Sequence, residues 1–132
     1  MDGFQYSVIC FNNGLHGMHL SAADYEGYIL GILNSILGWA TQTTLILALS
    51  TPVTVTDHPD TILEATNNIV IERNQVLRGL GARLSLPVID LSAIAWGKAQ
   101  YRSTDGYHYN ESGYEALADA AANRILTEMQ NK

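Results

Sequence analysis

Asp105-Gly106-Tyr107-His108-Tyr109-Asn110 is the segment of this chain best equipped for chemistry. An aspartate and a histidine three residues apart, with a glycine between them to ease a turn, can bring a carboxylate onto an imidazole. A carboxylate on Nδ1–H fixes the tautomer and leaves Nε2 free to take a proton from a hydroxyl. Asn110 then stands where a helix cap is expected, so the pair would sit in a loop running straight into the last helix. A second polar cluster, Asn12-Asn13-Gly14, ends an apolar run near the start of the chain and precedes His16 and His19. Such a triplet builds a turn at the end of a strand.

The elements that must position these residues alternate in type. Tyr6–Phe11 reads as a short buried strand, with Cys10 as a small apolar residue within it. Ser21 and Asp24 form a capping box. Behind it Tyr25, Tyr28, Ile29, Ile32, Leu33, Ile36 and Leu37 recur at helical spacing, predicting a helix over 22–40 with Trp39 packed late in it. Thr44–Leu49 is apolar throughout, as suits a strand covered on both faces. Residues 50–60, with two prolines, read as a loop, and Thr61-Ile62-Leu63-Glu64 as a capping box starting the next helix. Its inner face carries Ile62, Thr66, Ile69, Val70, Arg73, Val76, Leu77 and Leu80. Leu86–Leu91 predicts a third strand, with Asp90 as a cap for the next helical turn. Tyr114, Leu117, Ala118, Ala121, Ile125 and Met129 mark the buried stripe of the last helix. Such β-α-β-α-β alternation implies a parallel sheet, and ligands of open α/β sheets bind outside the carboxyl ends of the strands.

Composition bounds the function. One domain fits 132 residues, 47% of them apolar and 15% charged. A net charge of −6 opposes binding to nucleic acid or an anionic membrane. The 30 uncharged positions from Gly27 to Thr56 are interrupted by Asn34, Ser35 and Thr41-Gln42-Thr43-Thr44, so they read as a helix and a strand, not a membrane span. A lone cysteine excludes an internal disulfide. His16, His19, Asp57 and His58 have no spacing that fixes a metal site, and no metal or cofactor is expected. The opening Met-Asp-Gly-Phe-Gln shows no leader pattern, which leaves the location open.

The stretch Asp105-Gly-Tyr-His108-Tyr-Asn110-Glu-Ser-Gly113-Tyr114 resembles the C-terminal block of the SGNH hydrolases, the GDSL-type esterases and lipases. Val8–Gly17 resembles that family's third block, where a strand ends in a turn bearing the oxyanion asparagine. The resemblance implies a flavodoxin-like three-layer α/β fold with a parallel sheet. It implies His108 as general base, Asp105 as its orienting acid and Asn13 as oxyanion donor, with Asn12 the alternative register. His16 and Tyr107 are candidates to line the pocket, and Trp96, Tyr101 and Tyr109 extend the aromatic rim. The expected substrate is a small acyl or carbohydrate ester.

The family's Gly-Asp-Ser nucleophile block and its glycine block are absent from this sequence. The expectation is therefore a domain truncated at its N-terminus to about three strands, with the nucleophilic serine supplied from elsewhere. Strand 6–11 becomes an apolar edge, to be covered in a homo-oligomer or by a partner chain. The rival expectation is a non-catalytic α/β binding or assembly module built on the same fold.

Overall fold

A computed structural model describes residues 6–131. The opening pentapeptide, on which the leader expectation falls, lies outside the described residues. The elements are β1 (Val8–Phe11), α1 (Ala22–Trp39), β2 (Thr44–Ala48), β3 (Thr54–Val55), β4 (His58–Ile62), α2 (Glu64–Leu84), β5 (Val88–Ile89), α3 (Leu91–Ala95), a 3₁₀ turn (Ala99–Tyr101) and α4 (Glu111–Gln130).

A three-stranded parallel sheet runs in the order β1-β2-β5. Val8 through Phe11 pair with Thr44 through Leu47, and Leu47 and Ala48 pair with Val88 and Ile89. The strands are added in one direction, so right-handed crossovers place α1 and α2 on the same face. There they bury Tyr25, Ile29, Leu33, Leu45, Leu47, Leu49, Leu77 and Leu80, with Ile9 and Phe11 against them. The opposite face carries Ile46, Ala48 and Ile89 under Val8, Leu91, Ala121 and Ile125, the last two from α4. This is the three-layer α/β arrangement expected from the alternating pattern. No helix among the described residues is long and apolar enough to cross a membrane.

Several local expectations hold in detail. Ser21 accepts from the Asp24 amide at 3.1 Å and donates to its carboxylate at 2.7 Å, closing the first capping box. Asp90 caps α3 through the Ala93 amide at 3.0 Å and pairs with Arg78 at 2.6 Å. Asn110 caps α4, accepting from the Gly113 amide at 3.1 Å and donating to the Gln100 carbonyl at 2.7 Å.

Others are corrected. Residues 50–60 are not a plain loop: β3 and β4 form an antiparallel hairpin, with Asp57 at φ 62° in its turn. Thr61 therefore lies in a strand and bonds Asp60, and α2 begins after Leu63 with no side-chain cap. The third strand shrinks to two residues because Pro87 has no amide to donate.

The buried faces are narrower than their periodicity suggests. Tyr28, Ile32 and Trp39 of α1 are exposed, as are Tyr114 and Met129 of α4. Cys10, expected inside, is exposed. It shares the α4 face of the sheet with Val8 by strand alternation, and α4 does not reach over it. All these side chains belong to elements with one unpartnered flank, which hydrophobic periodicity alone does not reveal.

Gly113 shows how tightly α4 is seated: a Cβ there would lie 2.3 Å from the Tyr101 carbonyl oxygen. Asn110→Ala removes the cap and leaves the Gln100 carbonyl without its donor. It is expected to lower stability by about 2 kcal/mol, read as a shifted urea midpoint with an unchanged m-value.

Candidate active site

The loop between the 3₁₀ turn and α4 is closed at its neck. Arg102 and Tyr109 form an antiparallel bridge, and the Ser103 amide donates to the His108 carbonyl at 3.0 Å. The Arg102 guanidinium, buried, stacks on the Tyr109 ring at 4.4 Å. The loop's tip rests on the hairpin. The Thr54 amide donates to the Gly106 carbonyl at 2.9 Å, and the Asp57 amide to the Thr104 carbonyl at 2.7 Å. Gly106 has φ 84°, and a Cβ there would lie 2.2 Å from the Thr54 carbonyl oxygen. Left-handed backbone and close approach both require glycine at this position.

Within the loop Asp105 organises everything. Its Oδ2 pairs with His108 Nδ1. Its Oδ1 accepts from the Tyr107 amide at 2.9 Å and the His108 amide at 2.8 Å. Those interactions, the imidazole hydrogen bond first, hold the Asp105 carboxyl down to about 2. The carboxylate thus turns Nδ1 toward itself, leaving Nε2 as the nitrogen able to exchange a proton. The pair is open to solvent, with side-chain exposures of 47% for Asp105 and 69% for His108. It therefore serves orientation more than stability.

The other half of the site is the turn after β1. Asn12 Nδ2 donates to the Ala48 carbonyl at 2.7 Å and to Ser50 Oγ at 3.0 Å, tying the end of β1 to the end of β2. The Asn13 carbonyl accepts the His16 amide at 3.2 Å, while its side-chain Oδ1 is buried without a hydrogen-bond partner. Gly14 is buried, and a Cβ on it would fall 1.9 Å from Ser50 Oγ, so the Asn-Asn-Gly turn can only close with glycine. Asn12 and Ser50 line an open cleft of about 240 Å³ that also takes in Thr51, Tyr107 and Tyr109, with apolar walls from Leu15, Leu49, Leu91 and Leu117.

The structure thus brings Asn12 and Tyr107 to one cleft, which Asn13, Asp105 and His108 do not line. His16 is exposed in the turn and does not line that cleft. Trp96 is exposed and faces a separate, smaller cleft. Among the described residues no three His, Cys, Asp or Glu side chains converge as a metal site would require.

Three positioning groups were not anticipated: the hairpin, and the buried Asn67 and Asn74 of α2. The asparagines carried a signal, because they fall on the same stripe as Val70 and Leu77, where a polar residue must find a buried partner.

No protein-family model and no curated protein matches the chain. Solved structures do. A GDSL-like lipase from Bacteroides thetaiotaomicron aligns at TM-score 0.71 and 16% identity, over 92% of this chain and 63% of that one. The native M. smegmatis aryl esterase aligns at 0.70 and 17%, over 92% and 60%. A carbohydrate esterase family 3 structure from Talaromyces cellulolyticus aligns at 0.71 and 16%, over 96% and 60%. This chain therefore spans about 60% of the length of the solved structures it matches.

The low pKa of Asp105 has a sign that can be read in unfolding. A carboxyl held below its unfolded value of about 3.9 adds stability above that pH and loses it as the pH falls toward 2. The gap in urea midpoint between the wild type and Asp105→Asn is expected to close as the pH falls from about 4 to 2.

Proposed function

Taking the fold of these GDSL-type and esterase structures, the SGNH-hydrolase fold, as premise, we propose that this chain is the acid–base and oxyanion portion of a serine esterase acting on small acyl or carbohydrate esters. The observation that carries the reading is the Asp105–His108 pair, with Nδ1 held by the carboxylate. A serine hydroxyl placed at Nε2 would pass its proton to His108 as its oxygen attacks the ester carbonyl. His108 then returns that proton to the departing alcohol as the C–O bond breaks. Water repeats the sequence to release the acid and free the serine. Asp105 stabilises the imidazolium through both stages.

Asn13 is the donor we assign to the oxyanion. Both amide hydrogens of Asn12 are engaged by the Ala48 carbonyl and Ser50, which makes Asn12 a clamp between strands and leaves the neighbouring side chain for substrate. Tyr107 and the leucines of the cleft suit an acyl group or the apolar face of a sugar.

The nucleophile is assigned to a segment outside these residues, since no serine here follows a strand with Gly-Asp-Ser neighbours. In p-nitrophenyl acetate assays the isolated chain is expected to stay at the background rate. A longer polypeptide, in which the chain follows a segment bearing the serine, should turn over. There His108→Ala should lower kcat about 10²–10⁴-fold, and Asn13→Ala about 10²–10³-fold. Turnover in the longer polypeptide unchanged by His108→Ala would remove the dyad from the mechanism.

The same reading assigns a partner to β1, which among the described residues pairs on one side only and carries the exposed Cys10. A strand from a second copy or from another polypeptide is proposed to cover it. Sedimentation at micromolar concentration should show an assembly larger than 14.4 kDa. A well-folded monomer under those conditions would refute this assignment.

A further inference from the structure

Asn67 and Asn74 lie seven residues apart on α2, two helical turns along one buried stripe. Each grips one residue of the segment that leaves the central strand, and each grips it twice. Asn74 Oδ1 accepts the Ser50 amide at 2.8 Å while its Nδ2 donates to the Ser50 carbonyl at 2.8 Å. Asn67 Oδ1 accepts the Val53 amide at 2.9 Å, and its Nδ2 donates to the Val53 carbonyl and, at 2.9 Å, to the Leu63 carbonyl. A side-chain amide has one carbonyl and one NH₂, so it can replace a strand neighbour for a single residue of buried backbone.

The two gripped residues lead to different places. Ser50 holds Asn12 through its hydroxyl, and Asn12 anchors the turn that carries Asn13. Val53 precedes Thr54, whose amide holds the Gly106 carbonyl inside the Asp105–His108 loop. We propose that the two asparagines are separate positioning residues for the two halves of the site: Asn74 sets the oxyanion turn through Ser50, and Asn67 sets the acid–base loop through Val53 and Thr54. Neither touches substrate. α2 thereby acts as a common ruler, because the two halves are spaced by the rise of one helix. The inference rests on reading these two halves as one site, but its test reads hydrogen bonds and not turnover.

The experiment compares the full chain with Asn67→Ala and Asn74→Ala by nuclear magnetic resonance. In Asn67→Ala the Tyr107 and His108 amides should exchange about tenfold faster, and the His108 ring nitrogens should shift toward the Nε2–H tautomer of free histidine. The Asn12 side-chain NH₂ signals should stay where they are. In Asn74→Ala the pattern should reverse, with the Asn12 signals moved and the His108 tautomer unchanged. A merely structural role predicts that both variants disturb both halves or neither, and either result overturns the proposal. Should a variant fail to fold, hydrogen exchange of the wild type in low urea decides. The Val53, Thr54 and His108 amides should open together and separately from the Ser50 amide, and a single opening shared by all four would overturn the assignment. An inactive assembled enzyme would sink the esterase reading while leaving these patterns intact.

Discussion

The site depends on how four residues of buried backbone are satisfied. After Ala48 the central strand has no neighbour of equal length, yet the chain stays inside: Ser50, Pro52, Val53 and Thr54 are all buried. Buried amides and carbonyls must be paired, and an unpaired one costs about 1–3 kcal/mol. Side chains of α2 and the hairpin meet that demand where a sheet no longer can. The geometry of the candidate site depends on it, since the Asn12 clamp and the Gly106 contact both start from this segment.

A second division of labour separates holding from reacting. Most of the contacts that fix the loop are backbone to backbone or glycine packed against carbonyl, at Gly106 and Gly113. The groups able to react are left in solvent. The arrangement keeps a depressed carboxyl beside an accessible imidazole with both charges exposed, so desolvation opposes their pairing less than the hydrogen bonds favour it. Tyr109 and Arg102 supply the only buried aromatic–cation contact near the loop among the described residues, and they act at its neck.

Much of this was legible in the sequence because it rests on local rules. The capping residues Ser21, Asp90 and Asn110 each took the predicted role, since a cap is decided by neighbours three residues away. The Asp105–His108 pair was legible for the same reason. The hairpin was not: Val53-Thr54-Val55 alternates too briefly for a period to register, and Pro59 argues against a strand. It survives at an edge, where no ladder partner needs that amide. The burial of Asn67 and Asn74 was hidden because asparagine is usually a surface or turn residue. The exposure of Cys10, Tyr28, Ile32 and Met129 was hidden because periodicity reports which side of an element is apolar, not whether anything arrives to cover it.

Among the described residues, the loop's supports come from α4, the 3₁₀ turn and the β3–β4 hairpin, and none comes from β1. In terms of local unfolding, the Asp105–His108 pair has its supports on a different set of elements from the open sheet edge. Fraying or re-pairing of β1 changes the surroundings of Asn12 and Asn13 first, while Asp105 keeps its grip on the imidazole. The imidazole is thus oriented by contacts that the open edge of the sheet does not supply.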